Sequence, residues 1–337
     1  MRCRADACFW RQIDEASLAQ LHAMTATETA RPNGPELYDL RYMRMWTKLR
    51  PGARALLTGA APLAEIMVYT MGDRAYAVEM ARLLDKEGAV LRPGRLISAP
   101  DSRTAGRKDL DIVLGSAPGV LILDDTPAVW RRHASNVIVA DRYHFFPASS
   151  RGHGVDPTRS WLARAADEDE HDGVMTALLR VVREVHAKFF EGVSDGAGAA
   201  ERDVRPILAA LRAQVLAGCV IVFSHGTAVR YVERIAFVLR ANVPASASCA
   251  VFPMGETAPE RHSLWRLATE LGAQCSAAQR DDATHVVAGA AGTEKAKWGA
   301  ARGAAVVAPA WLHACAARWA RLPEADYPLD AAPQRRA

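Results

Sequence analysis

Short apolar runs alternate with amphipathic stretches along this chain. From Glu36, the residues Leu37, Leu40, Met43 and Trp46 are spaced as one face of a helix or an extended arm, which Pro51-Gly52 stops. Arg54 to Leu63 is a helix by its pattern, and Glu65 to Thr70 reads as a strand ending on a hydroxyl. Asp73 is placed to cap a helix over Arg74 to Lys86 that buries Tyr76, Met80, Leu83 and Leu84 and ends at Gly88. Arg95 to Ser98 is a short strand, and Lys108 to Leu114 is a helix by its pattern. The strongest signal follows. Val120-Leu121-Ile122-Leu123 runs unbroken into Asp124-Asp125 and then Pro127, which describes a strand buried on both faces with two carboxylates at its end. Asn136 to Ala140 supplies one more strand. Strands alternating with helices in this order specify a parallel sheet with helices on both faces. Residues 1 to 34 are weakly patterned, with a short helix over Trp10 to Ala23 and a turn at Arg31-Pro32-Asn33-Gly34.

Beyond Pro147 the pattern changes. Ser149 to Arg164 is loop-like, and Asp167-Glu168-Asp169-Glu170 reads as a solvated acidic patch. Two amphipathic helices, Gly173 to Glu191 and Asp203 to Leu216, form a helical linker. Then Cys219 to Phe223 is a strand, Leu264 to Leu271 a helix ending at Gly272-Ala273, and Thr284 to Ala288 a strand. Thr293 to Arg302 is a helix, Ala305 to Val307 a strand, and Pro309 starts a last helix that buries Trp311. The 337 residues divide accordingly into an N-terminal segment (1–35), an α/β domain (36–150), the linker (151–217) and a small α/β domain (218–330).

Composition narrows the function classes. A formal charge of +4 over 337 residues, without long basic runs, does not describe a nucleic-acid groove. Six scattered cysteines with no C-x-x-C pair suit reduced thiols in an intracellular protein, not a zinc site. The start of the chain has no apolar leader, and no stretch approaches the ~18 apolar residues of a membrane span.

Candidate chemistry gathers at one sheet edge. Thr70 ends one strand, Asp124 and Asp125 end another, and Lys108 opens the segment before the second. A hydroxyl, an ammonium and two carboxylates that could share Mg²⁺ suit a phosphoryl group, whose charge needs cations and neutral donors around it. Four segments extend the reading: Trp46-Thr47-Lys48-Leu49-Arg50-Pro51, Tyr69-Thr70-Met71-Gly72-Asp73-Arg74, Leu121 to Thr126, and Arg142-Tyr143-His144-Phe145-Phe146. Together they resemble the RNA polymerase II C-terminal-domain phosphatases of the haloacid-dehalogenase superfamily. The resemblance implies a nuclear, Mg²⁺-dependent protein serine/threonine phosphatase. Its substrate would be the phosphorylated C-terminal repeat of RNA polymerase II, with other phosphoproteins as further partners. Thr70 would hold the transferring phosphoryl group, Lys108 would neutralise it, Asp124 and Asp125 would bind or position Mg²⁺, and Arg50 would lie near the substrate.

The departure from the family is specific. The family nucleophile is the first Asp of a D-x-D-x-T motif on the central strand, and no D-x-D precedes Thr47. Asp6 follows Met1-Arg2-Cys3-Arg4-Ala5, which does not read as a buried strand, and neither Asp14 nor Asp39 has a second carboxylate in register. The expected fold is a haloacid-dehalogenase-like parallel sheet lacking its central nucleophile strand, so that the chain reads as a fragment or, second, as an inactive relative. The 218–330 segment resembles a BRCT domain through its glycine pair, Thr284-His285-Val286-Val287, Trp311 and Cys315. By that resemblance Ser224, Thr293 and Lys295 would contact a phosphopeptide, which also allows a non-catalytic binding scaffold. His285 reads as structural. Residues 225–251, with a helix-like middle at Val229 to Leu239, match nothing in the family and read as an insertion.

Overall fold

The computed structural model describes residues 5–28, 31, 33–102, 106–113, 115–191, 202–224 and 259–329. It divides into two compact units, Met1–Arg205 and Pro206–Ala337. The 225–251 insertion lies outside the described residues.

The first unit begins with a strand where the sequence signals none. β1 (Ala5–Phe9) pairs antiparallel with β3 (Met45–Leu49), and β2 (Leu37–Leu40) pairs with the other side of β3, giving the order β1-β3-β2. One expectation is corrected here and one alternative is decided. The Asp6 segment is a strand, with Ala5 and Cys8 buried, because β3 supplies a partner that local pattern does not reveal. The Leu37–Trp46 stretch takes the extended of its two readings, as a hairpin turning at Arg44 with φ 53°, and not the helical one. Helix α1 (Glu15–Glu28) brings Leu21 onto Cys8, Leu37, Trp46, Tyr143, Phe145, Phe146 and Leu162 to make the core at this end.

The rest of this unit follows the alternating order: α2 (Ala53–Ala60), β4 (Val68–Tyr69), α3 (Arg74–Leu84), β5 (Leu96–Ile97), β6 (Ile122–Asp124), β7 (Val137–Val139), α4 (Pro147–Gly152) and α5 (Val174–Phe189). Asp73 caps α3, accepting from the Tyr76 N–H at 2.7 Å. The Lys108–Leu114 helix is absent; the described part of that stretch carries only a single 3₁₀ turn at Leu110–Ile112, started by the Asp109 side chain. β4 pairs in parallel with β5, and β6 with β7, as two separate two-stranded sheets among the described residues. No described helix is long and apolar enough to cross a membrane.

In the second unit, helix α6 (Val204–Gln214) is followed by β8 (Val220–Phe223), α7 (Ser263–Glu270), β9 (Gln274–Ser276), β10 (His285–Val287), α8 (Glu294–Ala301), β11 (Ala305–Val307) and α9 (Pro309–Arg318). The four strands form one parallel sheet in the order β11-β10-β8-β9. β8 and β10 are buried along their whole length, as continuous Val/Ile runs require. Gly272 ends α7 with φ +93°, and a Cβ there would lie 1.8 Å from the Ala213 carbonyl oxygen. Only glycine allows that approach.

Candidate active site

The carboxyl end of β6 carries the densest polar cluster. Asp124 is 5 % exposed and accepts from the Lys108 ammonium at 2.6 Å, the Trp130 indole N–H at 2.9 Å and the Thr126 backbone N–H at 2.9 Å. Burial pushes its carboxyl upward, but the Lys108 charge and these donors outweigh it and hold Asp124 below the usual carboxylate range. The ammonium itself sits over two rings, 5.6 Å from Tyr69 and 5.5 Å from Trp130. Those rings meet edge to face at 5.4 Å. Side chains thereby link the β4 pair of strands to the β6 pair.

Asp125 is fixed differently. Arg142, three residues past β7, pairs with its Oδ2 and donates to the Thr126 hydroxyl at 2.7 Å, while that hydroxyl donates to Asp125 Oδ1 at 3.3 Å. Thr70 prolongs the β4–β5 ladder through its N–H to Ile97 O at 2.9 Å, and its Oγ accepts from the Gly72 N–H at 3.1 Å. Of the four residues expected at the phosphoryl site, Lys108 and Asp124 are in direct contact. Asp125 adjoins them, and Thr70 follows the tyrosine that packs on Lys108.

Arg50 is occupied by protein. It is 1 % exposed, grips Glu168 through Nε at 2.8 Å and Nη2 at 2.5 Å, reaches the Asp141 carbonyl and lies 5.4 Å over the Tyr143 ring. The acidic patch read as solvated is therefore corrected. Glu168 pairs with Arg50, and Asp167 accepts from Lys48 at 2.9 Å and from the Tyr143 hydroxyl at 2.6 Å. Lys48, fully buried, also meets Glu36 at 2.7 Å. Two buried cations need these carboxylates, so the acids fold inward. Arg142 and Trp130 received no role from sequence reasoning. The signals were an arginine inside a quoted motif and a lone tryptophan between two strands.

A cavity of about 500 Å³ lies beside this cluster, with Leu57, Tyr69, Ile97, Ile122 and Trp130 in its wall and Asp124 at its edge. α2 and α5 contribute further apolar side chains to it. Its lining is that of a hydrophobic slot, not of a charged substrate pocket. Asp124 and Asp125 are the carboxylates that could take Mg²⁺, and each is paired with a cation, Lys108 and Arg142. Mg²⁺ needs only one or two protein carboxylates, with water and phosphate oxygens completing its shell, so the two would turn from these cations to hold it.

A second polar cluster lies in the C-terminal unit. Ser224 Oγ and Thr293 Oγ are 2.8 Å apart, and Thr293 caps α8 through the Ala296 N–H at 3.3 Å. Lys295 donates to the Phe223 and Ala277 carbonyls at 3.0 and 2.5 Å, with its ammonium pushed down by burial. His285 stacks on Trp311 at 4.7 Å, bonds Thr284 at 2.7 Å and Glu324 at 3.1 Å, and is held below its ordinary range by burial.

Comparison with known proteins gives these clusters a context. Residues 21–166 match the NLI interacting factor-like phosphatase family, and residues 250–311 match a twin BRCT domain. The RNA polymerase II C-terminal domain phosphatase-like 4 of Arabidopsis thaliana is 37 % identical over 316 residues, covering 94 % of this chain and 65 % of its own. An RNA polymerase II C-terminal domain phosphatase of Caenorhabditis elegans is 28 % identical over 85 % of this chain and 40 % of its own length. This chain thus spans less than two thirds of these relatives. The solved structure of Fcp1, an essential RNA polymerase II CTD phosphatase, superposes with a TM-score of 0.62 at 21 % identity, covering 97 % of this chain and 93 % of that one. That likeness shows the fold, haloacid-dehalogenase-like with a BRCT domain.

Proposed function

We propose that this chain acts as a member of the RNA polymerase II C-terminal-domain phosphatase family, and that its β4–β6 crevice binds phosphoserine or phosphothreonine of the phosphorylated polymerase C-terminal repeat. The observation that carries this reading is the buried Lys108–Asp124 pair set between Tyr69 and Trp130. Lys108 offers an ammonium that can turn from Asp124 to a phosphoryl oxygen, and Asp124 holds it aimed meanwhile. Thr70 offers a neutral hydroxyl donor at the end of the neighbouring strand. Arg142 holds Asp125 in place through its ion pair. The low dielectric around these groups strengthens each contact with an anion.

The family chemistry is a phosphoaspartyl mechanism with Mg²⁺, carried out in the nucleus. Asp124 and Asp125 would hold Mg²⁺, which would supply charge neutralisation at the phosphoryl group, but the D-x-D-x-T nucleophile is not among the residues of this chain. In this reading the chain binds the phosphorylated tail without turning it over. Calorimetric titration with a phosphoserine tail peptide checks it: Lys108→Ala should weaken crevice binding at least ~10-fold, the scale of a lost charge-assisted contact. Measurable Mg²⁺-dependent turnover abolished by Asp125→Asn would replace the binding role with catalysis. A scaffold reading through the BRCT domain is favoured by the Ser224–Thr293–Lys295 cluster alone. Peptide affinity unchanged in Lys295→Ala would remove it.

A further inference from the structure

The open end of the three-stranded sheet carries a surface that the crevice does not use. Six large apolar side chains are markedly exposed among the described residues, and three of them are aromatic rings on this end: Phe9 at 45 %, Trp10 at 40 % and Tyr42 at 69 %. The sheet places Phe9 and Trp10, since Phe9 lies opposite Met45 and the Trp10 N–H donates to the Arg44 carbonyl at 3.0 Å, while Tyr42 turns toward Glu79 of α3. Arginines are interleaved with the rings. Arg11 sits 5.5 Å over Phe9, Arg41 is largely in water, and Arg44 occupies the turn with φ 53°.

Asp39 organises the centre. Its Oδ1 accepts from the Trp10 indole at 3.2 Å and its Oδ2 from Arg41 Nε at 3.0 Å, so one carboxylate fixes both a ring and a guanidinium. The remaining N–H groups of Arg41 stay open to a ligand. Around Trp10, Arg11, Arg41 and Arg44 stand against the Asp39 carboxylate, which leaves this part of the surface positive; Glu79 beside Tyr42 is paired with Arg82. Rings that stack on proline or tyrosine, beside planar cations that fork onto phosphate, fit an extended phosphorylated peptide. The carboxylate at the centre counts against a nucleic-acid backbone, which would bring continuous negative charge across Asp39.

The geometry points to a second docking surface, built from Trp10, Arg41 and Arg44 around Asp39, for an extended phosphorylated peptide. Its choice of peptide rests on the proposed function, but its test does not depend on the crevice. Amide hydrogen exchange and fluorescence anisotropy of the full chain are measured with a multi-repeat phosphoserine tail peptide, in the Lys108→Ala background that silences the crevice. Protection of amides in residues 9–11 and 39–44 is expected. Trp10→Ala and the double variant Arg41→Glu/Arg44→Glu should each raise the Kd at least ~5-fold, the threshold that separates an anchor from a bystander. All three side chains are exposed, so unchanged far-ultraviolet circular dichroism confirms that the variants fold. Absence of protection with an unchanged Kd overturns the proposal. So does protection by an oligouridine but not by the phosphopeptide, which marks a nucleic-acid surface instead. Failure of Lys108→Ala to weaken the parent chain would end the crevice reading and leave this one standing.

Discussion

The two parallel-stranded regions of this chain solve the same burial problem in opposite ways. In the C-terminal unit four strands close into one sheet, and its core is apolar: His285 is the only ionisable acid–base side chain buried there among the described residues, thiols aside. In the N-terminal unit the parallel strands form two pairs, and Glu28, Glu36, Lys48, Arg50, Lys108, Asp124 and Asp125 are all buried. A continuous ladder satisfies its own backbone and excludes charge. Divided pairs leave a crevice, and paired charges hold its walls. The difference teaches that the first unit, which holds the Lys108–Asp124 cluster, depends on paired buried charges as well as on its apolar cores.

The sharpest way to break that contrast is to remove one buried cation. Lys48→Met removes the buried ammonium shared by Glu36 and Asp167, leaving Glu36 to Arg31 and Asp167 to the Tyr143 hydroxyl, and should cost the N-terminal unit about 3 kcal/mol while leaving the C-terminal transition in place. Differential scanning calorimetry with two resolved transitions reads this directly. If Lys48→Met left both transitions unmoved, the electrostatic account of the first unit would fail. Next in size, the C-terminal unit should respond to shape instead of charge. Gly272→Ala forces a Cβ against the Ala213 carbonyl at positive φ and should lower that unit's stability by about 2–3 kcal/mol.

Acid should move the two units in opposite directions. Burial raises Asp6 to about 6 from 3.8, despite the donors from Ser149, Phe146 and Phe145. A raised carboxyl contributes stability below its unfolded value and loses it as pH climbs through the folded one, so lowering pH from 7 to 5 relieves the first unit by roughly 1 kcal/mol. His285, held below 6.5 by burial, takes up its proton less readily in the fold than in the unfolded chain, so the second unit weakens as pH falls under 6.5. Urea midpoints at the two pH values check the signs, and Asp6→Asn should flatten the first trend. The smallest effects should not separate the units. Asp73→Ala and Thr293→Ala each remove a helix cap and should cost about 1 kcal/mol in their own unit.

What was legible in the sequence was local. The α3 helix with its Asp73 cap, the Val120–Leu123 run and the C-terminal strands follow from neighbours a few residues apart. What was hidden depends on distant partners. β1 contains a charged residue and only two buried side chains, and it becomes a strand because β3 lies some forty residues ahead. Glu168 looks solvated until Arg50, 118 residues away, turns out to need it. The 108–114 stretch has helical spacing, yet Lys108 is drawn to Asp124 and the segment tightens to a single turn. Long-range charge pairing leaves no periodicity to read.

The Tyr69–Trp130 contact, with the Lys108 ammonium set over both rings, has a consequence of its own. Backbone ladders lock neighbouring strands at a spacing no side chain can alter, whereas here two aromatic planes and one flexible methylene arm span the gap. The opening is therefore tunable: single substitutions at Tyr69 or Trp130 could widen or narrow it while every strand keeps its register, so selection can adjust the size of the admitted group without rebuilding the scaffold.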